Sequence, residues 1–188
     1  AQVVPIGNSG ETLAGMQRLH TLSMRQAGLS DLSSPQLVQI LQRSATLEVL
    51  DISLNMLGAA AMQALALTLP RARALRELNV SWNSVGGGAH HLLSAISRLG
   101  RHCTLRKLDL AGCDLVEPDL LAVGALLRDV PGHPLHHLVL SHNGLTGVAG
   151  QCVLRQMERL APPHASNSLD VLLALAAAGC AGDLDPRW

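Results

Sequence analysis

Four histidines, His133, His136, His137 and His142, fall within ten residues of one another, and imidazole is the side chain suited both to proton transfer near neutral pH and to zinc ligation. A metal centre needs several ligands converging in fixed geometry. His136 and His137 are adjacent in a stretch that reads as a strand, so they point to opposite faces, and the expectation is solvated or hydrogen-bonded histidines with no metal. The pair His90-His91 falls in a helical stretch, and Cys103 beside His102 has no second thiol in register. Gly86-Gly87-Gly88 lacks both the last glycine of a dinucleotide fingerprint and the lysine of a phosphate loop. With no HExxH or GxSxG motif either, these residues predict no catalytic centre and no cofactor.

Composition narrows the classes further. Fourteen basic residues balance fourteen acidic ones, so no global field draws the chain to nucleic acid or to an anionic membrane. With no Phe or Tyr and two Trp, the core must be built from aliphatic side chains. One lysine beside thirteen arginines reads as a codon bias without function. Cys103, Cys113, Cys152 and Cys180 show no CxxC spacing and no paired cluster at either end, which predicts a reducing compartment, cytoplasm or nucleus. The most apolar run, Leu169 to Cys180, is about half of the ~20 residues that span a bilayer.

The elements that position these residues are set by a repeat. Leucine at positions 1 and 4, an aliphatic at 6, a small residue at 9 and an aliphatic at 11 recur in five stretches, beginning at Leu19, Leu47, Leu75, Leu105 and Leu135. The starts are 28, 28, 30 and 30 residues apart, a regularity that marks one solenoid. Period-two alternation over positions 3 to 7 predicts a short strand. Helical spacing follows, as in Leu37, Ile40 and Leu41, in Met62, Leu65, Ala66 and Leu69, or in Leu120, Val123 and Leu127 with Leu121 and Leu126 filling in. Ser33-Ser34-Pro35 predicts a hydroxyl N-cap, and Glu117-Pro118-Asp119 places acidic groups at a helix N-terminus. Arg43, Arg98, Arg101, Arg128 and Arg159 fall at or beyond helix C-termini, where the dipole favours cations; the run Arg71, Arg73, Arg76 has the same explanation. Strands joined through helices pair in parallel, which predicts an α/β architecture with a concave sheet and convex helices. At position 9, Asn55, Asn83 and Asn143 are expected to bond turn backbone, with Cys113 offering a weak thiol donor and Ala27 nothing.

These residues resemble the leucine-rich repeat family, and the long unit with a full helix is similar to its ribonuclease-inhibitor-like subclass, which accepts Asn or Cys at position 9. The resemblance covers Leu19 to about Leu160 and implies a horseshoe solenoid that binds proteins. On this reading residues 1–18 are the tail of a preceding repeat or a cap, 19–161 hold five repeats, and 162–188 are a degenerate repeat or a capping helix. Asn79-Val80-Ser81 is a formal glycosylation sequon, but it is also the family's strand pattern.

In this register the exposed columns are Thr21, Val49, Glu77, Lys107 and His137 at position 3, Ser23, Asp51, Asn79, Asp109 and Val139 at position 5, and Arg25, Ser53, Ser81, Ala111 and Ser141 at position 7. Asp51, Asn79 and Asp109, with Glu77 beside them, form a mildly acidic stripe, unless position 5 is acidic for local reasons. Position 8 carries Gln26, Leu54, Trp82, Gly112 and His142. Trp82 with Leu54 is the expected anchor for a protein partner, because a rim aromatic in partly apolar surroundings suits binding; the competing reading packs Trp82 over the next turn. The leading function is an interaction module of an intracellular scaffold or adaptor. The alternatives are the substrate receptor of a ubiquitin ligase and a GTPase-activating solenoid, for which Arg25 is the one concave arginine, without a motif that makes it catalytic.

Overall fold

The computed structural model describes residues 18–128, 134–145 and 147–160, and side chains as far as 156. Five three-residue strands, β1 (Thr21–Ser23), β2 (Val49–Asp51), β3 (Glu77–Asn79), β4 (Lys107–Asp109) and β5 (His137–Val139), form one parallel sheet in chain order. Five helices follow them in turn: α1 (Ser34–Arg43), α2 (Ala59–Thr68), α3 (Ala89–Leu99), α4 (Glu117–Arg128) and α5 (Gly147–Leu160). The register aligns the position-4 leucines in single file, Leu22 with Leu50, Leu78, Leu108 and Leu138. All five are buried.

Each strand points position 4 inward against helix residues spaced for one helical face. In α1 these are Leu37, Ile40 and Leu41, in α3 Leu92, Leu93 and Ile96, and in α4 Leu120, Val123, Leu126 and Leu127. With position 6 supplied by Ile52, Val80, Leu110 and Leu140, they make one continuous aliphatic core. Each large side chain stabilises the fold by roughly 1.5–3 kcal/mol, which explains how a chain without Phe or Tyr can fold. Each helix packs on the next. Because helices sit roughly 8–10 Å apart and strands about 4.8 Å, stacking them in step leaves the sheet on the inner side of the curve.

Two local expectations are corrected. Leu121 does not fill in the α4 core but is exposed, since the stripe through Leu120, Val123 and Leu127 leaves its direction facing outward. Ser33 does not cap α1 through its hydroxyl. A single 3-10 turn, Asp31–Ser33, precedes the helix; in it the Ser33 hydroxyl accepts the Ser30 N–H at 3.2 Å, while the Ser34 hydroxyl donates to the Asp31 carbonyl at 2.6 Å. Pro35 does sit in the first helical turn, and Arg43, Arg98 and Arg128 occupy last turns. Most of the segment from Glu11 to Leu19, His133, Pro162-Pro163, the possible sixth strand or capping helix over 168–179, Cys180 and the Arg159 side chain lie outside the described residues.

Candidate protein-binding surface

The surface rests on a polar ladder just beyond the strands. Asn83 is buried; its amide nitrogen donates to the carbonyls of Ile52 at 3.1 Å and Val80 at 2.9 Å, and its oxygen accepts the Leu57 N–H at 2.9 Å. Asn55 does the same one coil earlier, donating to Met24 and accepting from Ala27 and Leu29. Asn143 donates to Leu110 and accepts from Cys113 and Leu115. Cys113 keeps the donor half of the pattern, with Sγ 3.4 Å from the Val80 carbonyl. It has no oxygen to accept with, and the Val85 N–H turns instead to the Asn83 carbonyl at 2.9 Å.

Position 5 has a local task. Oδ1 of Asp51 accepts both the N–H and the hydroxyl of Ser53, at 3.0 and 2.6 Å, and Asn79 holds Ser81 in the same way. Asp109 accepts the Ala111 N–H at 2.9 Å. These turns engage one oxygen of each member of the acidic stripe. They also correct the third column: Ser53, Ser81 and Ala111 are buried, not exposed, because the Asx turn folds position 7 back beside the strand end. Only Arg25 in that column is exposed, with its guanidinium donating to the Ser53 hydroxyl at 3.4 Å. At position 3, Glu77 and Lys107 are cross-strand neighbours whose charges meet at 3.9 Å. His137 is half-buried beside Lys107.

Position 8 is where the chain leaves the concave face, and Gln26, Leu54, Trp82, Gly112 and His142 all have φ between 53° and 59°. Left-handed backbone costs a side-chain-bearing residue roughly 1–2 kcal/mol, so the surrounding ladder must hold these turns in place. The Trp82 ring lies over Gly112, where a Cβ would come within 2.7 Å of it, and its centroid is 5.3 Å from that of His142. Trp82 is therefore packed on the next coil and still 49 % exposed. Leu54 on the preceding coil is half-buried. The residues missed on this edge are Met56, 69 % exposed, Leu32, 88 % exposed, and Val116; the first two line a shallow depression of about 430 Å³ with Ser30, Asp31, Asn55 and Ser84. Their positions lie beyond the strand pattern, which is why alternation did not reveal them.

A further residue whose role was missed is Asp119. Its carboxylate is fully buried and accepts N–H bonds from Gly87 at 2.9 Å, His90 at 2.8 Å and Val116 at 3.1 Å, with the His90 ring nitrogen at 3.3 Å. It thus joins the N-terminus of α3 to the turn before α4. The Gly86-Gly87-Gly88 run is this strand-to-helix turn, and at Gly88 a Cβ would strike the Ala59 backbone at 2.4 Å. Asp31 serves α2 similarly, accepting from Gly58 and Ala61.

Among the described residues no group of three or more His, Cys, Asp or Glu could hold a metal ion. His136 and His142 are exposed, and His90 stacks on His91 at 4.0 Å. Burial raises the Cys103 thiol and pushes Cys113 up to about 12, while Cys152 is exposed. In a Cys180→Ser background, Ellman's reagent near neutral pH is expected to modify Cys152 alone, and Cys103 and Cys113 only after urea is added; rapid native modification of either buried thiol would contradict this packing. No helix among the described residues is long and apolar enough to cross a membrane.

Repeat length, parallel register and position-9 ladder together define a leucine-rich repeat solenoid. The leucine rich repeat family model matches residues 43–66, 101–119 and 133–154. Among solved structures, leiomodin-1 actin-binding site 2 is similar in fold, with a TM-score of 0.59 and 13% identity over 82% of this chain and 92% of that chain. No curated protein matches the sequence.

Proposed function

We propose that this solenoid is a non-enzymatic protein-interaction module of a larger intracellular scaffold or adaptor, working in the cytoplasm or nucleus. Its partner lies on the concave sheet and the edge that carries Trp82. The observation that carries this reading is the state of Trp82: half exposed, set in a left-handed turn and braced by Gly112 and His142. An aromatic already ordered before binding loses little freedom on contact and buries a large area. Leu54 extends the apolar patch. Asp51, Asn79, Asp109 and Glu77, with Lys107 and His137 at the margin, set the charge preference, and the engaged Oδ1 atoms and the Glu77–Lys107 pair make it milder than the stripe suggests.

A full helix in each unit and a cysteine sharing the asparagine ladder support placing the chain in the ribonuclease-inhibitor-like subclass. The structurally similar leiomodin-1 site is an actin-binding one, which supports a protein as the occupant. Trp82→Ala is expected to leave the circular dichroism spectrum unchanged and to weaken partner capture from cell lysate by about 2 kcal/mol, roughly thirtyfold. A partner bound equally by both forms would sink the assignment of this edge.

A further inference from the structure

A net charge of zero conceals a division of charge between the two edges of the solenoid. Parallel strands put every strand N-terminus on one edge and every C-terminus on the other. The first edge carries Arg71, Arg73, Arg76, Arg101, Arg106 and Lys107, all exposed, together with the last-turn arginines of α1, α3 and α4. Among the described side chains, its acidic residues are Glu48 and Glu77. Glu48 is shared between Arg76 at 3.6 Å and His20 at 3.5 Å, and Glu77 meets Lys107. Arg71, Arg73, Arg101 and Arg106 have no ion pair among the described residues. Among the described side chains, the opposite edge holds Asp31, Asp51, Asp109, Asp114, Glu117 and the buried Asp119 against Arg25 alone. Arg76, Arg106 and His136 fall on successive coils at one position, tied by backbone bonds of 2.7 and 2.8 Å, so the basic groups form a row.

We propose that this basic edge binds an acidic segment of a protein partner, its carboxylates seated on Arg73, Arg106 and their neighbours. The charged groups are nearly all guanidinium forks, which pair bidentately with carboxylates. A single-stranded nucleic acid would need aromatic platforms for its bases, and the Trp82 ring stands on the other edge. A lipid surface would need apolar anchors. The large apolar side chains exposed among the described residues, however, belong to the opposite edge (Leu32, Met56, Trp82, Val116, Val148) or to helix faces (Leu67, Leu121). Helix C-terminal carbonyls share the basic edge and temper its field, which suits spaced carboxylates better than a dense phosphate polymer.

The test is fluorescence anisotropy of fluorescein-labelled poly-glutamate titrated with wild type, with Arg73→Gln/Arg106→Gln, and with Arg25→Gln/Arg155→Gln, which removes the same charge away from this edge. Wild type is expected to bind saturably and more weakly as salt rises. The edge pair should weaken binding by about tenfold or more, and the control pair by about twofold or less. Trp82→Ala should bind poly-glutamate like wild type, so this proposal and the Trp82 reading stand or fall separately. Absence of saturable binding, or equal loss in both pairs, would overturn the proposal. Tighter edge-dependent binding of oligo-dT or of phosphatidylserine vesicles than of poly-glutamate would overturn it in favour of nucleic acid or membrane.

Discussion

Asp119→Ala is expected to lower the stability of the solenoid by about 3 to 5 kcal/mol, the largest effect of any single polar substitution considered, because three backbone donors lose their acceptor at once. The N–H groups of Gly87, His90 and Val116 all converge on this carboxylate, and alanine leaves a gap where water can replace the oxygens only in part. Asp31→Ala provides the internal comparison. Asp31 is only partly buried and accepts two such bonds, so its loss should cost about 1 to 2 kcal/mol, the range of an ordinary helix cap. Urea titration followed by circular dichroism measures both, and amide exchange at Gly87, His90 and Val116 reports whether the damage is local. Equal destabilisation by the two variants would mean that burial of Asp119 has been misjudged.

Asn143→Ala is the second large effect, at about 2 to 4 kcal/mol. One side chain satisfies the N–H groups of Cys113 and Leu115 and the carbonyls of Leu110, Leu140 and Ser141. Cys113→Ala at the same position of the preceding coil should cost about 1 kcal/mol, since the thiol makes only weak bonds to the Val80 and Ala111 carbonyls. The contrast isolates the amide from its place in the turn. If both substitutions proved equally mild, the ladder would be an accompaniment of the fold and not one of its supports.

Much of the architecture was legible in the sequence because one period governs it. Leu50, Leu78, Leu108 and Leu138 share a file as their 28- and 30-residue spacing requires, and from the second coil on the position-9 side chains bond turn backbone as their residue types lead one to expect. What escaped detection depends on neighbours about one coil away in sequence. Asp119 reads as an exposed acid favouring a helix dipole; its burial follows from Gly87 and His90, which lie 32 and 29 residues earlier. Ser53 and Ser81 reads as an exposed column until the Asx turns are seen. The packing of Trp82 over the next turn was legible as the reading that competed with an exposed anchor, and the ring does both, lying over Gly112 while staying half exposed. Met56 and Leu32 carry no periodic signal at all.

The position-9 amides also impose an order on assembly. Asn55, Asn83 and Asn143 each complete the backbone of the coil before their own, so a coil leaving the ribosome keeps unmatched amides until its successor has been synthesised. Maturation of the chain should therefore trail its emergence by about one repeat, and a released fragment ending at His142 should be more open to proteases around Cys113 and Leu115 than one ending at Leu160, in which the fifth coil closes over them.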